Sequence, residues 1–271
     1  MTKFLFLLLF SNLLIATPLR YEGKGLQITL LSDHTAVAPG TTVTYGLSVT
    51  HDPGYHTYWK SPGIVGFPMT LEWDLPEGIT ASETAYPYPE RTMMAIHPCY
   101  GYERDVILLS EITIPETFSA ETFSADLNLS WMCCAKGCCP DHHTISVSLP
   151  VQAQATTSPQ HPRIHRSKSE LPTPHPQMTA SVRSSAAEDV IKVELTLPSD
   201  HTPIHLFSED NQSSSDVVQS FQSTGSQKGF TTYSISLARY EFSPRNQSTF
   251  PFVLQTNLGY FTFAPLYPIA Q

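Results

Sequence analysis

The chain has 271 residues, with 15 Lys or Arg against 24 Asp or Glu, so its formal net charge is −9. This acidic balance lacks the basic footprint of nucleic-acid binding, and we expect no nucleic-acid partner. Charged residues are only 14% of the chain, while Thr, Ser, Pro and Tyr are frequent, which favours strands and turns over helices.

The chain begins with a short apolar segment. Lys3 is followed by the sequence FLFLLLFSNLLIA, which ends at Ala16. A positive start, an apolar stretch shorter than the roughly 20 residues of a membrane span, and a small residue at its end are typical of a secretory signal peptide. We predict a signal peptide over residues 1–18, with an uncleaved N-terminal anchor as the alternative. The cysteines of an exported protein meet an oxidising compartment.

Alternating apolar and polar residues predict half-buried strands through the first half of the chain. Turn sequences rich in proline and glycine separate these strands, and no segment has a convincing helical period. The predicted strands lie within residues 26–30, 43–49, 71–75, 127–131 and 145–149. This pattern predicts a β-sandwich over residues 19–151.

The alternation stops over residues 152–177, where prolines stand among polar residues, including serines and histidines. Such a composition predicts an extended linker. Alternation resumes beyond it, and the sequence TFPFVLQTNLGYFTFAP, residues 249–265, predicts a closing hairpin. We therefore predict a second β-sandwich domain over residues 178–271, in which SEDNQSSSD, residues 208–216, is a polar loop.

Four of the five cysteines lie in the sequence WMCCAKGCCP, residues 131–140. If the first strand turns at Ala-Lys-Gly and returns, Cys134 lies opposite Cys138. The same turn places Cys133 opposite Cys139. Adjacent residues of a strand point to opposite faces. We therefore expect Cys133 and Cys139 on the core face, and Cys134 and Cys138 on a wetter face.

Disulfides fit this hairpin, because cross-strand cysteines can come within the Cα separation of about 4.4–6.8 Å that a disulfide tolerates. Cys133 and Cys139 are the candidates for a structural disulfide. Cys134 and Cys138 would form an accessible pair beside Lys136, whose ammonium group favours the reactive thiolate. From the residues alone, an equally good interpretation is that both disulfides are structural and have no redox function.

A metal site is a further alternative for the same hairpin. A copper or zinc ion would use residues from the following set: Cys133, Cys134, Cys138, Cys139, His142 and His143. Metal ligands must converge on one point, whereas a regular hairpin places only two of the sulfurs on each face. We therefore expect no metal and no cofactor.

Two further groups of residues could contribute to function. Cys99, the odd cysteine, could be a buried free thiol, a partner of one of the other four or an intermolecular contact. His56, Tyr58 and Trp59 could form an aromatic patch, but we interpret them as turn and core residues.

The sequence GYHTYWKSPGIVGFP, residues 54–68, resembles the stretch G-W-H-T-Y-W-K-N-P-G-x-x-G-x-P of the exported N-terminal region of DsbD/ScsB-type protein-disulfide reductases. The sequences LEWDLPEGI, YPYPER and YGYE follow in the order of that family. Its next landmark is W-x2-C-x3-C-x-P. The residues that match this landmark are Trp131, Cys134, Cys138 and Pro140.

The resemblance implies an immunoglobulin-like β-sandwich whose Cys134/Cys138 pair accepts electrons from a membrane-embedded thiol reductase. The pair would pass these electrons to periplasmic proteins that contain disulfides. Cys133 and Cys139 are additions to the family pattern. The membrane conduit and the thioredoxin-like domain of full-length members do not occur in this sequence. We therefore expect electrons to come from a separate partner, through which the protein would also contact the membrane.

We predict an all-β protein of two immunoglobulin-like β-sandwich domains joined by a proline-rich linker. We further predict that it works in periplasmic thiol–disulfide exchange, as a component of protein-disulfide reduction. One alternative is a periplasmic copper- or zinc-binding protein. The other is a non-catalytic interaction module stabilised by its disulfides.

Overall fold

The computed structural model describes residues 19–268, so the signal peptide predicted for residues 1–18 lies outside the described residues. Strands account for 56% of the described residues and helix for 4%, which confirms the all-β prediction. Across residues 19–268, no helix has the length and apolar character needed to cross a membrane.

Within the described range, one group of strands precedes a short α-helix in the sequence and a second group follows it. The first group comprises β1 (Leu19–Gly23), β2 (Leu26–Ser32), β3 (His34–Ala36), β4 (Thr42–His51), β5 (Thr57–Gly63), β6 (Thr70–Asp74), β7 (Thr80–Ala81), β8 (Glu90–Met94), β9 (His97–Tyr102), β10 (Val106–Thr113), β11 (Thr122–Cys134), β12 (Cys138–Pro150) and β13 (Thr156–Thr157). The helix is α1 (His161–Ser167), followed by a 3₁₀ turn (Lys168–Glu170). The second group comprises β14 (Thr179–Val182), β15 (Val190–Pro198), β16 (Pro203–Ser208), β17 (Gln222–Gln227), β18 (Phe230–Ala238), β19 (Phe252–Thr256) and β20 (Gly259–Phe263).

The first group forms a sandwich around one hydrophobic core. A five-stranded antiparallel sheet has the order β1-β2-β4-β10-β7, and a three-stranded sheet has the order β12-β11-β6. Alternate side chains of both sheets, such as Leu47 on β4 and Leu127 on β11, are fully buried in this core. Burial of these apolar side chains is the main favourable contribution to the stability of the sandwich.

A smaller sheet of order β5-β9-β8 is associated with this sandwich. Trp59 on β5 and Tyr100 on β9 extend into the first core, as expected for packing residues. The two strands approach closely at Gly101, where a Cβ atom would lie 2.1 Å from the carbonyl oxygen of Thr57. Only glycine permits this contact, which brings β9 beside β5.

The second group forms two further antiparallel sheets, of order β14-β15-β18-β17 and β16-β19-β20. Their inner side chains form a second core, which includes Ile191 and Phe252. The hairpin predicted for residues 249–265 is confirmed as β19 and β20. Phe207 and Val253 pack into the first core, so the two groups of strands share apolar contacts.

The segment of residues 152–177 is not extended throughout, contrary to the linker prediction. It contains β13, which pairs with β3, and then helix α1. The buried side chain of Ile164 packs against Leu31 and Leu109 of the five-stranded sheet. Gly46 leaves room for this contact, because a Cβ atom there would lie 3.2 Å from Cγ1 of Ile164.

The sequence pattern does not predict this helix, because it has only seven residues and Ile164 is its one buried apolar side chain. Two turns with one apolar contact produce no detectable period. A proline near the helix start suggested extended structure, yet proline is well tolerated in the first turn. The boundaries of the two domains, 19–151 and 178–271, stay a prediction.

Ile164→Ala tests the docking of α1. We expect a loss of about 2–4 kcal/mol in the free energy of unfolding, because the substitution leaves a cavity against the sheet. Urea unfolding followed by tryptophan fluorescence measures this loss. His165→Ala, at an exposed position of the same helix, should change stability by no more than about 0.5 kcal/mol. Equal effects of the two substitutions would show that the helix does not contribute to the core.

Candidate redox site

The four-cysteine sequence forms the tip of the long β11–β12 hairpin. Cys133 pairs with Cys139 and Cys134 pairs with Cys138, which is the register expected from the sequence. The neighbouring strand β6 pairs with β11 only over residues 126–130. The tip therefore extends beyond β6 and is available to other elements.

Cys134 is completely buried, which corrects the expectation that it lies on a wetter face. The backbone of His56 forms two hydrogen bonds with the backbone of Cys134, both 2.9 Å between nitrogen and oxygen. The buried side chains of Tyr58 and Cys99 pack against Cys134 from the same small sheet. Cys138 remains exposed. The pair thus consists of one buried and one accessible sulfur.

The two sulfurs of this pair lie close together. Sγ of Cys134 is 2.6 Å from Sγ of Cys138, and both residues are free cysteines in this structure. The hydroxyl of Tyr58 donates a hydrogen bond to Sγ of Cys134 over 3.2 Å. Sγ of Cys138 lies 3.7 Å from Sδ of Met94. A small movement would bring the sulfurs to the roughly 2.05 Å of a disulfide bond.

Burial raises the pKa of the Cys134 thiol, because water cannot solvate the thiolate there. The adjacent sulfur of Cys138 adds to this increase, whereas the Tyr58 hydroxyl opposes it. Burial also raises the pKa of Cys99 to about 11 and that of Cys133 to about 12. Since the thiolate is the nucleophile, these three buried thiols are poorly suited to make the first attack on a partner.

Backbone hydrogen bonds distinguish the two cysteine pairs. Both backbone groups of Cys134 bond to His56 and therefore point away from β12, so Cys134 and Cys138 form a non-hydrogen-bonded pair. The adjacent pair, Cys133 and Cys139, is then a hydrogen-bonded one. Cα atoms are about 4.5 Å apart in the first type and about 5.5 Å in the second. A disulfide, with Cβ atoms about 3.5–4.5 Å apart, suits the Cys134/Cys138 pair better.

The structural disulfide between Cys133 and Cys139 stays a prediction, and this spacing weighs against it. Cys133 is buried in the first core, while Cys139 is half-buried. The expected electrostatic role of Lys136 also stays a prediction. Its side chain is exposed in the hairpin turn, and no ion pair involves it among the described residues.

The alternative metal ligands are not brought together. Among residues 19–268, no group of three or more His, Cys, Asp or Glu side chains could hold a metal ion. His142 and His143 are successive residues of β12, so their side chains point to opposite faces. His143 instead packs against Tyr21, with ring centroids 4.4 Å apart. No three of these six side chains therefore converge on one point, and the metal site stays an untested alternative.

Tyr58 and Met94 contact the cysteine pair but were not predicted as site residues. The interpretation of Trp59 as a core residue is confirmed, whereas that of Tyr58 was incomplete, because its hydroxyl bonds to Cys134. His56 is also buried, and it contacts Cys134 through two backbone hydrogen bonds. The one sequence feature that could have identified Tyr58 as a site residue is its position within residues 54–68, which resemble the family motif.

Comparison with known proteins confirms the resemblance. Residues 27–150 match the family model described as thiol:disulfide interchange protein DsbD, N-terminal. The crystal structure of the N-terminal periplasmic domain of ScsB from Proteus mirabilis is similar, with a TM-score of 0.65 and 13% identity. That match covers 91% of this chain and 95% of the other. At this identity it shows a shared fold only.

A conserved domain protein from Bacillus anthracis matches over 88% of this chain and 76% of its own, with 9% identity. Its TM-score of 0.25 is too low to support a shared fold. No curated protein matches this chain.

Tyr58→Phe should shift the pH dependence of Cys134 alkylation to higher pH. The hydroxyl of Tyr58 lowers the pKa of Cys134, so its removal makes the thiolate scarcer at any given pH. Mass spectrometry of the reduced protein after timed alkylation measures the rate at this residue. Tyr86→Phe removes a hydroxyl that bonds to the carbonyl of Met69 and should leave the profile unchanged. An unshifted profile for Tyr58→Phe would show that the Tyr58 hydroxyl does not lower the pKa of Cys134.

Mild oxidation should join Cys134 to Cys138 and leave Cys133 and Cys139 as thiols. The closer spacing of the non-hydrogen-bonded pair is the reason. Oxidation in a graded glutathione series, followed by denaturation, alkylation and peptide mass spectrometry, identifies the bonded cysteines. If a bond between Cys133 and Cys139 appears first, the assignment of the two pair types is wrong.

Proposed function

Because residues 27–150 match the N-terminal family of the thiol:disulfide interchange protein DsbD, we propose that this protein is a periplasmic thiol–disulfide exchange module. Its working pair is Cys134 and Cys138. The observation that carries this proposal is the contact of a buried and an exposed sulfur, 2.6 Å apart, at the tip of a hairpin. An exposed sulfur can meet a partner, and a buried neighbour can then complete the exchange.

The reaction begins at Cys138. Its thiolate attacks one sulfur of a partner's disulfide, and the partner's other sulfur leaves as a thiolate that takes up a proton. A mixed disulfide now joins the two proteins. Cys134 then loses its proton and attacks the sulfur of Cys138, which releases the partner's second thiol. Two electrons and two protons have passed to the partner, and this protein holds the Cys134–Cys138 disulfide.

The surroundings of Cys134 suit this order of events. Burial raises the pKa of the Cys134 thiol and so keeps it protonated. Burial also shields the sulfur from solutes. The hydroxyl of Tyr58 can stabilise the sulfur when the proton leaves. Lys136 is exposed in the hairpin turn, where its positive charge would attract negatively charged groups of a partner to Cys138.

A membrane-embedded thiol reductase would return the disulfide to the dithiol form by attacking Cys138 in the reverse sequence. Disulfide-containing periplasmic proteins would be the acceptors. The apolar N-terminal sequence supports export, and the similar ScsB domain is a periplasmic one. One exposed sulfur, that of Cys138, would serve both the donor and the acceptor.

Serine variants test the proposed roles with a peptide disulfide as substrate. Cys138→Ser should abolish reduction of the peptide, because the exposed nucleophile is lost. Cys134→Ser should retain the attack but accumulate a mixed disulfide at Cys138, because resolution is lost. Thiol titration and intact-protein mass spectrometry measure both outcomes. The control, Cys139→Ser, should reduce the peptide at the rate of the unmodified protein.

Unchanged reduction by Cys138→Ser would overturn this mechanism. If the double variant of Cys134 and Cys138 still binds its physiological partner and retains its full effect on it, the non-catalytic interaction module is the better account.

A further inference from the structure

The loop of residues 208–216 joins the second domain to the small sheet that covers the redox pair. The sequence predicts a polar loop there, yet several of its side chains are almost completely buried. Gln212, Ser213 and Ser215 have relative exposures of 0%, 1% and 2%. Burial of polar side chains is costly unless they form hydrogen bonds, so the contacts of this loop are informative.

Gln212 anchors the loop within the second domain. Its Nε2 donates a hydrogen bond to the carbonyl oxygen of Thr249 over 2.9 Å. Its Oε1 accepts a hydrogen bond from the hydroxyl of Tyr267 over 2.6 Å. The guanidinium group of Arg239 donates to the same oxygen over 3.3 Å and to the Tyr267 hydroxyl over 2.9 Å. The base of the loop is therefore fixed by buried partners.

Asn211, the neighbour of Gln212, connects the loop to strand β5 by hydrogen bonds. Its Oδ1 accepts hydrogen bonds from Oγ of Ser61 over 2.6 Å and from the backbone nitrogen of Gly63 over 3.0 Å. Its own backbone nitrogen donates to Oγ of Ser61 over 2.8 Å. Asn211 has a φ of 55°, a left-handed conformation that asparagine tolerates better than most residues. Three hydrogen bonds thus hold the end of β5 against the loop.

Ser215 links two segments of the small sheet. Its hydroxyl donates a hydrogen bond to the carbonyl oxygen of Pro98 over 2.8 Å and accepts one from the backbone nitrogen of Ile64 over 3.1 Å. A Cβ atom on Gly63, which has a φ of 90°, would lie 2.3 Å from this hydroxyl oxygen. Glycine at this position makes room for the hydroxyl and permits the positive φ.

The two linked segments are those that cover the buried sulfur. Strand β5 carries Tyr58, whose hydroxyl bonds to Cys134. Pro98 directly precedes Cys99, which packs on the same sulfur. We propose that Asn211 and Ser215 are positioning residues of the redox pair. Through them the second domain holds the Tyr58 and Cys99 side chains against Cys134.

The second domain thus acquires a role in protecting Cys134, and only the redox consequence of that role rests on the proposed function. Loss of the Ser215 hydroxyl would leave two backbone groups without their partner and loosen the cover of Cys134. Water would then reach the sulfur. The hydrogen bond from Tyr58, which favours the reduced form of the sulfur, would also weaken.

Ser215→Ala in the full chain tests the role of the bridge, with Ser213→Ala as the matched control. Ser213 is equally buried in the same loop, but its hydroxyl has no hydrogen-bond partner among the described residues. In the reduced protein, we expect Ser215→Ala to increase the alkylation rates of Cys99 and Cys134 about tenfold, as expected from loss of a buried hydrogen bond. Ser213→Ala should leave both rates unchanged.

The thiol–disulfide equilibrium of the same variants in glutathione buffers is the second readout. Ser215→Ala should shift it about three- to tenfold toward the disulfide of Cys134 and Cys138, since the reduced form loses a favourable contact. A merely structural role would not move this equilibrium in the folded protein. Identical alkylation rates and equilibria for the Ser215 and Ser213 variants would overturn the proposal.

Asn211 provides an independent pair of variants if Ser215→Ala does not fold. Asn211→Ala removes the acceptor oxygen and should raise the alkylation rates, whereas Asn211→Asp keeps an acceptor and should restore protection. Equal protection in both variants would contradict the role of Asn211. Failure of the wild-type protein to exchange with glutathione would refute the proposed function alone, because the alkylation rates still test the positioning contact.

Discussion

Two backbone hydrogen bonds between His56 and Cys134 determine the chemistry available at the hairpin tip. They attach the small sheet to β11 beyond the end of β6. This attachment places Tyr58 over the sulfur of Cys134 and leaves Cys138 on the open side. It also makes Cys134 and Cys138 a non-hydrogen-bonded pair, the closer of the two arrangements in an antiparallel ladder. Without this contact, strand alternation alone would expose both sulfurs equally.

The unequal exposure of the pair explains how the two sulfurs of one hairpin could take different parts in thiol exchange. An accessible sulfur can bond to a partner, while a sulfur kept dry by its neighbours is protected from unrelated disulfides and oxidants. The small sheet forms the cover over Cys134, and Asn211 and Ser215 of the loop of residues 208–216 bond to that sheet. If these bonds position the cover as proposed, the loop and the small sheet act as one functional unit.

Local sequence information was sufficient for the strands and for the register of the cysteines. Period-2 alternation located most of the long strands, and the three-residue turn placed Cys134 opposite Cys138. It was insufficient for the burial of Cys134, because the covering residues Tyr58 and Cys99 are distant in the sequence. The helix near Ile164 was missed because two turns with one apolar contact have no measurable period. Non-local contacts therefore determine the site, whereas local patterns determine the sheets.

The most direct test of this account is to identify the first sulfur of the reduced wild-type protein that bonds to a peptide disulfide. Rapid acid quenching at successive times, followed by peptide mass spectrometry, locates the adduct on each of the five cysteines. We expect an early adduct on Cys138 that is replaced by the Cys134–Cys138 disulfide. An early adduct on any other cysteine, or one on Cys138 that Cys134 never displaces, would contradict it.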